Sequence, residues 1–141
     1  APSAATRLSD MGIEPFLVSS SLVCVVAQRL VRVLCKECKE LYRPLPELLE
    51  QLKIKEKTSL KFYREKGCSQ CRNTGYGGRI GIFEMLILNE EIKKLIDKRS
   101  SSGEIRELMI RQGMKTLRDD GLEKLVKGVT SLSEILRVTQ E

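Results

Sequence analysis

Two short cysteine pairs, Cys35-Lys36-Glu37-Cys38 and Cys68-Ser69-Gln70-Cys71, decide how the middle of this 141-residue chain folds. In each pair the two cysteines are close enough in sequence to place both sulfurs on one tight turn, a spacing typical of zinc knuckles. Zn²⁺ takes four ligands in a tetrahedron, so two such knuckles supply a complete set. A site closed by four thiolates has no open position for water or substrate. We therefore predict a structural zinc site, with one ion per chain, held by Cys35, Cys38, Cys68 and Cys71.

The same spacing has other uses, which the sequence leaves open. A CxxC pair can be a thiol–disulfide redox motif, although that use expects one pair at a strand-to-helix junction rather than two. Disulfides would suit a secreted protein, but no apolar signal segment opens the sequence. An iron–sulfur cluster also takes four cysteines, usually in a more compressed run. The 29 residues between Cys38 and Cys68 exceed the roughly 15–20 of a zinc ribbon, which predicts an ordered insert between the knuckles.

Other residues that carry reactive groups are predicted to have no chemistry. Cys24 lies in an apolar run and is predicted to be a small buried thiol. The chain has no histidine, so histidine-based catalysis is excluded and a zinc site must be all-thiolate. Asp119 and Asp120 lie in the first turn of a predicted helix, which indicates a cap with solvated charges or an interface contact. The sequence gives no catalytic residue.

Positive charge is concentrated on the part of the chain that carries the cysteine pairs. The net charge is +6, and residues 29–79 hold thirteen Lys and Arg against six Asp and Glu. This basic segment is either an ordinary solvated surface or a patch for anionic lipid heads, nucleic acid or an acidic partner. Nucleic acid is the weakest of these candidates and we predict none, because stacking aromatic residues are almost missing among the basic ones.

The hydrophobic pattern predicts an α+β fold in three segments. Residues 1–34 begin without a capping signal and read as two helices and a largely buried strand over 22–34, which we expect to be the edge of a larger α/β layer. Residues 35–80 read as a knuckle, a helix over 46–52, a strand near Phe62 and the second knuckle. Residues 81–141 read as a helical bundle after one strand.

Helix starts in the third segment are marked by capping residues. The predicted caps are Asn89, Ser101 with Glu104, Thr116 with Asp119, and Ser131 with Glu134, and the helices end at Gly113 and Gly128. The glycines at 75, 77 and 78 lack the lysine of a phosphate-binding loop. They are predicted to form turns that bring backbone N–H groups to the sulfurs.

Seven stretches of the chain form a distinctive combination: residues 5–8, 11–17, 27–35, 67–71, 74–82, 116–121 and 130–139. Together they resemble the type II secretion ATPase family over essentially the whole chain. The type IV pilus assembly ATPases are a sibling family with the same cysteine layout, and residues 130–139 favour type II secretion.

The resemblance implies a RecA-like, hexameric P-loop motor at the cytoplasmic face of the bacterial inner membrane, which uses ATP and Mg²⁺ and works with inner-membrane platform proteins. It assigns residues 1–34 to the C-terminal edge of the ATPase core, 35–80 to a zinc-binding domain and 81–141 to a helical C-terminal domain. The Walker A, Walker B and histidine-box motifs of the family are missing from this sequence. We therefore expect a structural and docking module without ATPase activity of its own. The alternatives from other classes are a thiol redox or metal-responsive protein and a zinc-ribbon nucleic-acid binder.

Overall fold

The computed structural model describes residues 1–51 and 60–139 and confirms the predicted α+β class. Within these residues the chain forms seven α-helices, four strands and one 3₁₀ turn. In chain order they are α1 (Pro2–Asp10), α2 (Pro15–Ser21), β1 (Cys24–Leu34), β2 (Glu40–Tyr42), α3 (Pro46–Gln51), β3 (Phe62–Arg64), the 3₁₀ turn Ser69–Cys71, β4 (Tyr76–Ile87), α4 (Glu90–Asp97), α5 (Ser102–Arg111), α6 (Leu117–Val126) and α7 (Leu132–Thr139). None of the helices in this described part is long and apolar enough to cross a membrane.

The strands form two pairs. The Leu88 N–H donates to the Val23 carbonyl (3.0 Å) at one end of the β1–β4 pair, and the Cys35 N–H donates to the Gly75 carbonyl (2.9 Å) at the other. Strands β1 and β4 are therefore antiparallel. The second pair joins β2 to β3, also antiparallel, with Leu41 opposite Tyr63. With α3, this pair forms the described part of the insert predicted between the knuckles.

The prediction of a largely buried strand over 22–34 is wrong in its burial. Strand β1 occupies the predicted place, but only Val31 and Leu34 in it are buried, and Val26 is 49% exposed. Cys24 is exposed as well, which corrects its assignment as a buried thiol. The reason is that β1 pairs only with β4 among the described residues, so alternate side chains in its first half lie on an open face. A β-branched run indicates strand but does not by itself specify what covers it.

The described chain groups into two compact units. Unit 1 contains Ala1–Gln28 and Phe83–Asp120, and unit 2 contains Arg29–Ile82 and Gly121–Glu141. The tetracysteine region thus shares a unit with the chain's last helix. The predicted division at 34 and 80 concerns the domains of a longer parent protein, and it stays a prediction.

Unit 1 has a core of aliphatic side chains from its helices and β4. α1 packs on α5, and α2 packs on α4, where the Ser19 hydroxyl donates to the Asp97 carboxylate at 2.6 Å. The buried residues of this core are Ala5, Val18, Leu86, Leu88, Ile92, Ile96, Ile105 and Met109. They recur at helical spacing on α4 and α5, and Leu86 and Leu88 alternate at the end of β4 and just after it, as burial of one face requires.

The predicted caps are confirmed at three helices. Asn89 accepts the Ile92 N–H, Ser101 and Glu104 form a reciprocal capping box, and the Thr116 hydroxyl accepts the Asp119 N–H at 3.2 Å. Gly113 and Gly128 follow α5 and α6 with φ of 80° and 65°, the left-handed conformation of a helix end.

Helix α3 lies within the predicted span 46–52, whose last residue, Leu52, is outside the described residues. Leu49 of the predicted apolar face is buried, whereas Leu45 is exposed.

Candidate metal centre

The four cysteines of the two predicted knuckles come together in unit 2. Cys35 directly follows β1, and the Lys39 N–H closes the first turn on its carbonyl at 3.0 Å. Cys68 caps the 3₁₀ turn that precedes β4 and Cys71 is the last residue of this turn, which the Asn73 N–H closes on the Cys68 carbonyl at 2.8 Å. All four sulfurs lie within 4.8 Å of one another. In the part of the chain that the structure describes, no other group of cysteine or carboxylate ligands is close enough to hold a metal ion.

Three of the six sulfur separations have the length expected around a tetrahedral ion. Cys35 and Cys68 are 3.9 Å apart, Cys38 and Cys71 are 3.8 Å apart, and Cys68 and Cys71 are 3.7 Å apart, all measured between Sγ atoms. A zinc–sulfur bond of about 2.3 Å in a tetrahedron places its sulfurs about 3.8 Å apart. The cluster therefore has the size of a four-thiolate site, and its cysteines are not paired as disulfides.

Backbone N–H groups surround the sulfurs. The glycines predicted for this role were those at 75, 77 and 78; the prediction is confirmed for Gly75, whereas for Gly77 it is wrong because Gly77 is not among the residues with positive φ. The Gly67 N–H donates to Cys38 Sγ at 3.3 Å, and the N–H groups of Cys68 and Gly75 donate to Cys71 Sγ at 3.3 and 3.2 Å. Gly67 and Gly75 have φ of 105° and 76°, which favours glycine. Such N–H donors stabilise negative charge on sulfur and serve as the second shell of a metal site.

The metal-free thiols differ strongly in acidity. Burial raises the pKa of Cys71, but the N–H donors from Cys68 and Gly75 and the neighbouring thiols outweigh it and bring the pKa down to about 6. Burial raises the pKa of Cys38 to about 11, and the N–H donor from Gly67 offsets this only in part. At neutral pH the lowered pKa favours the thiolate of Cys71, and the raised pKa favours the thiol of Cys38. A metal ion that binds all four sulfurs must therefore displace protons.

The geometry supports chelation rather than catalysis. Cys35, Cys38 and Cys71 are buried and Cys68 is half-buried, so substrate has little access to the sulfurs. The two knuckles lie at the two ends of the segment 39–67. An ion bound to all four sulfurs would therefore close this segment into a loop and lower the conformational entropy of the unfolded chain.

Comparison with known proteins places the sequence of this chain in a family. The family model for the type II/IV secretion system protein matches residues 1–137. The chain belongs to this family.

Individual relatives agree with this assignment. Type II secretion system ATPase E of Vibrio cholerae is 50% identical over 139 residues, which cover 98% of this chain and 27% of that protein. Type II secretion system protein E of Aeromonas hydrophila is 47% identical, with the same coverage of both chains. Type IV pilus assembly ATPase PilB of Thermus thermophilus is 45% identical over the whole chain, which spans 16% of that relative. The chain therefore corresponds to a minor part of the length of these secretion and pilus ATPases.

Sequence reasoning missed a buried ion-pair network in this family member. Glu134 is 1% exposed, and its carboxylate accepts the Arg32 N–H at 2.9 Å, the Arg32 Nη2 at 2.8 Å and two N–H groups of Arg137. The Arg32 guanidinium lies 4.0 Å from the centre of the Tyr76 ring. Burial raises the pKa of Glu134, but the two arginines outweigh it and lower the pKa to about 2. The network joins β1, β4 and α7 within unit 2.

The predicted capping box at Ser131 is therefore only half present. The Glu134 N–H does donate to the Ser131 hydroxyl at 3.3 Å, but the carboxylate binds arginines instead of the cap backbone. Arg137, three residues later on the same helix, was a visible signal of pairing. Arg32 was not, because it lies 102 residues away in sequence.

The acidic pair at 119–120 has structural roles. Asp119 caps α6 through Thr116, as predicted, and Asp120 accepts the Phe83 N–H of β4 at 2.9 Å. Among the described residues, neither carboxylate lies in a cluster of side chains that could hold a metal ion.

Proposed function

We propose that this chain is the metal-binding and helical C-terminal part of an ATPase that powers type II protein secretion, and that it acts there as a structural and docking module. The observation that carries the proposal is the closed cluster of four cysteine sulfurs in a chain that matches the family almost throughout. The relatives in Vibrio cholerae and Aeromonas hydrophila are named as type II secretion proteins. The family resemblance further suggests a hexameric parent at the cytoplasmic face of the inner membrane, in contact with platform proteins.

The proposed ion is zinc, one per chain, held by Cys35, Cys38, Cys68 and Cys71. Four sulfur ligands at tetrahedral separations suit Zn²⁺ better than Mg²⁺ or Ca²⁺, which prefer oxygen. When bound, zinc supplies a cross-link and no reaction. Contacts made by the chain's own residues also stabilise the segment between the knuckles. Lys39 Nζ donates to the Gly128 carbonyl at 2.8 Å and lies over the Tyr63 ring, so these two residues of the segment contact the end of α6 within unit 2.

The chain itself is proposed to lack ATPase activity, and ATP and Mg²⁺ are proposed to bind only the longer parent. The sequence given contains neither Walker motif of the family. Purified chain incubated with Mg–ATP should release no phosphate above a buffer blank. Phosphate release that follows the protein through successive purification steps would contradict this part of the proposal.

A chimera tests the secretion role. The corresponding 27% of the Vibrio cholerae ATPase is replaced by this chain, and restoration of protein secretion is measured in a strain that lacks the native gene. Secretion should be restored, and it should be lost when Cys35→Ser is introduced. The matched control is Cys24→Ser, which removes an exposed thiol outside the cluster and should leave secretion unchanged. Equal loss in both variants, or no loss in either, would contradict a role for the tetracysteine site.

A pilus motor is the second candidate, supported by the 45% identity to PilB of Thermus thermophilus over the whole chain. A parallel chimera in that protein, scored by piliation, separates the two. Restored piliation without restored secretion would favour the pilus assignment. The basic segment 29–79 is proposed to meet an acidic partner or anionic lipid in either system.

A further inference from the structure

A shallow recess of about 240 Å³ lies in unit 2, next to the second knuckle. Its lining residues are Arg32 of β1, Thr74 of the loop after Cys71, and Tyr76, Gly78 and Arg79 at the start of β4. Two of these lining residues are arginines, and no carboxylate is among them. The recess is therefore a positively charged concavity within the basic segment 29–79.

Arg32 is held in a fixed orientation at this recess. Its guanidinium stacks on the Tyr76 ring at 4.0 Å, and its Nη2 donates to the Glu134 carboxylate at 2.8 Å. The Arg32 side chain is nevertheless 47% exposed, and the guanidinium has further N–H donors that Glu134 does not use. An arginine that is already immobilised loses little conformational entropy when it binds a second acceptor.

Positive charge at the recess exceeds what the described carboxylates neutralise. Arg32 and Arg137 share the single carboxylate of Glu134, which leaves one positive charge over. Arg79 adds a second positive charge, because it is exposed and among the described residues its guanidinium forms no ion pair. Two such groups at one concave site attract an anionic partner.

The glycines at the start of β4 leave the backbone beside the recess uncovered. Gly77 and Gly78 are both exposed, and Gly78 has a φ of 83° that favours glycine. Gly77 has no such φ, and a Cβ added there would meet none of the described residues within 4 Å. Nothing in the described part of the chain thus requires glycine at 77. A strand glycine of this kind is typical of a place where another chain approaches the backbone closely.

We propose that this recess is the docking site for an acidic, extended segment of a partner protein. The inference rests on the proposed docking function and names the partner of the basic segment 29–79. A carboxylate of the partner accepts N–H groups from Arg79 and Arg32, and the partner's backbone passes over Gly77 and Gly78. Arginine suits this role because its planar guanidinium matches the geometry of a carboxylate.

A peptide suits the recess better than a membrane surface does. The lining residues include no exposed apolar side chain that could enter a bilayer, and the uncovered backbone can receive a narrow chain. Glu65 lies near Tyr76 and opposes an acidic partner, as would the negative charge of a metal centre with four thiolates. Binding of one acidic segment should therefore be weak, with a dissociation constant of about 0.1–1 mM.

Fluorescence anisotropy of the full 141-residue chain, in buffer that contains zinc, tests the proposal. The probe is a short fluorescein-labelled peptide of alternating glutamate and glycine, and the same peptide with glutamine in place of glutamate should not bind. Arg79→Gln should weaken binding of the glutamate peptide about tenfold, because one charged donor is lost. Arg79→Lys should recover only part of this loss, because lysine lacks the planar fork. Lys61→Gln is the matched control, since it removes an exposed positive charge outside the lining and should leave binding unchanged.

Gly77→Ala tests the approach of the partner's backbone. The variant should unfold in urea at the same or a higher concentration than the unmodified chain, because alanine fits this backbone and restricts the unfolded state. It should nevertheless weaken peptide binding about threefold, because the added methyl group keeps the partner's backbone away. Unchanged peptide binding by Gly77→Ala would contradict this approach. Arg32 stays unsubstituted, because its loss would remove a partner of the buried Glu134 carboxylate and disturb the fold.

Three results would overturn the proposal. The first is equal binding of the glutamate and glutamine peptides, and the second is equal weakening by Arg79→Gln and Lys61→Gln, which would indicate general attraction to a basic surface. The third is binding to phosphatidylglycerol vesicles that depends on Arg79 and that the glutamate peptide does not displace, which would assign Arg79 to a membrane surface.

The chimera experiment separates this inference from the proposed function. A chimera that restores secretion, together with a chain that binds no glutamate peptide, would refute the docking site alone. Specific peptide binding together with a chimera that restores neither secretion nor piliation would support the docking site and contradict the proposed function.

Discussion

The glycine beside the second knuckle provides a sharp test of how the backbone supports the metal centre. Gly75 has φ of 76°, and its N–H donates to Cys71 Sγ. A Cβ added here would lie 2.4 Å from the Glu65 Cβ and 3.1 Å from the Glu65 Cα. Gly78 has a similar φ of 83°, but a Cβ added there meets nothing within 4 Å. Alanine at the two positions therefore suffers the same backbone strain, and only Gly75→Ala adds a collision.

The expected magnitudes follow from this difference. An alanine in the left-handed conformation costs about 1–2 kcal/mol, which is the whole effect expected of Gly78→Ala. The collision in Gly75→Ala is with main-chain as well as side-chain atoms, so no rotamer change relieves it. Such overpacking adds about 1–3 kcal/mol. The movement that relieves the collision also pulls the Gly75 N–H away from Cys71, so zinc affinity should fall by about tenfold relative to Gly78→Ala, the equivalent of about 1.4 kcal/mol.

Two measurements check this prediction. Zinc affinity is measured by competition with a chromophoric chelator, and the free energy of unfolding is measured by urea denaturation in excess zinc. Equal zinc affinities for the two variants would refute the reasoning, because the backbone at Gly75 would then not hold the cluster.

Three further outcomes follow from the structure. Glu134→Gln should destabilise unit 2 by about 3 kcal/mol at pH 7, since it leaves two arginines without their buried partner. Folding lowers the pKa of Glu134 from 4.5 to about 2. The stability that its ionised carboxylate contributes is therefore complete above pH 4.5 and is lost as the pH drops towards 2. The difference in unfolding free energy between the unmodified chain and Glu134→Gln, measured by urea denaturation, should be smaller at about pH 3 than at about pH 7, and a constant difference would contradict the ion pairs. Thr116→Val should cost about 1 kcal/mol through loss of the α6 cap, and an unchanged melting temperature would count against that cap. Chelator treatment should expose the Cys35 amide to hydrogen exchange while the Ile92 amide of unit 1 stays protected, and uniform loss of protection would show that metal binding orders both units.

Local features were predictable from the sequence because their causes lie within a few residues. The CxxC spacing brings two sulfurs to one turn whatever surrounds it, and the Ser101–Glu104 and Thr116–Asp119 caps depend on one turn of helix each. The turn at Gly75, with its positive φ, is likewise set by its immediate sequence neighbours.

Features set by distant residues were not predictable. The burial of β1 depends on what covers its faces, and a run of valines cannot specify that, so Cys24 was wrongly placed inside. The role of Glu134 depends on Arg32 from the other end of unit 2. Its position three residues after Ser131 favoured a capping interpretation that was locally sound, but the arginines outcompete the cap backbone for the carboxylate.

The central claim, a closed four-thiolate zinc centre, is tested most directly by metal content per mole of purified chain together with a count of thiols that react under native conditions. The account predicts one zinc per chain, with Cys35, Cys38, Cys68 and Cys71 protected and the exposed Cys24 as the single reactive thiol. A chain that carries no metal, or in which all five thiols react freely, would contradict it and favour a redox role for the cysteine pairs.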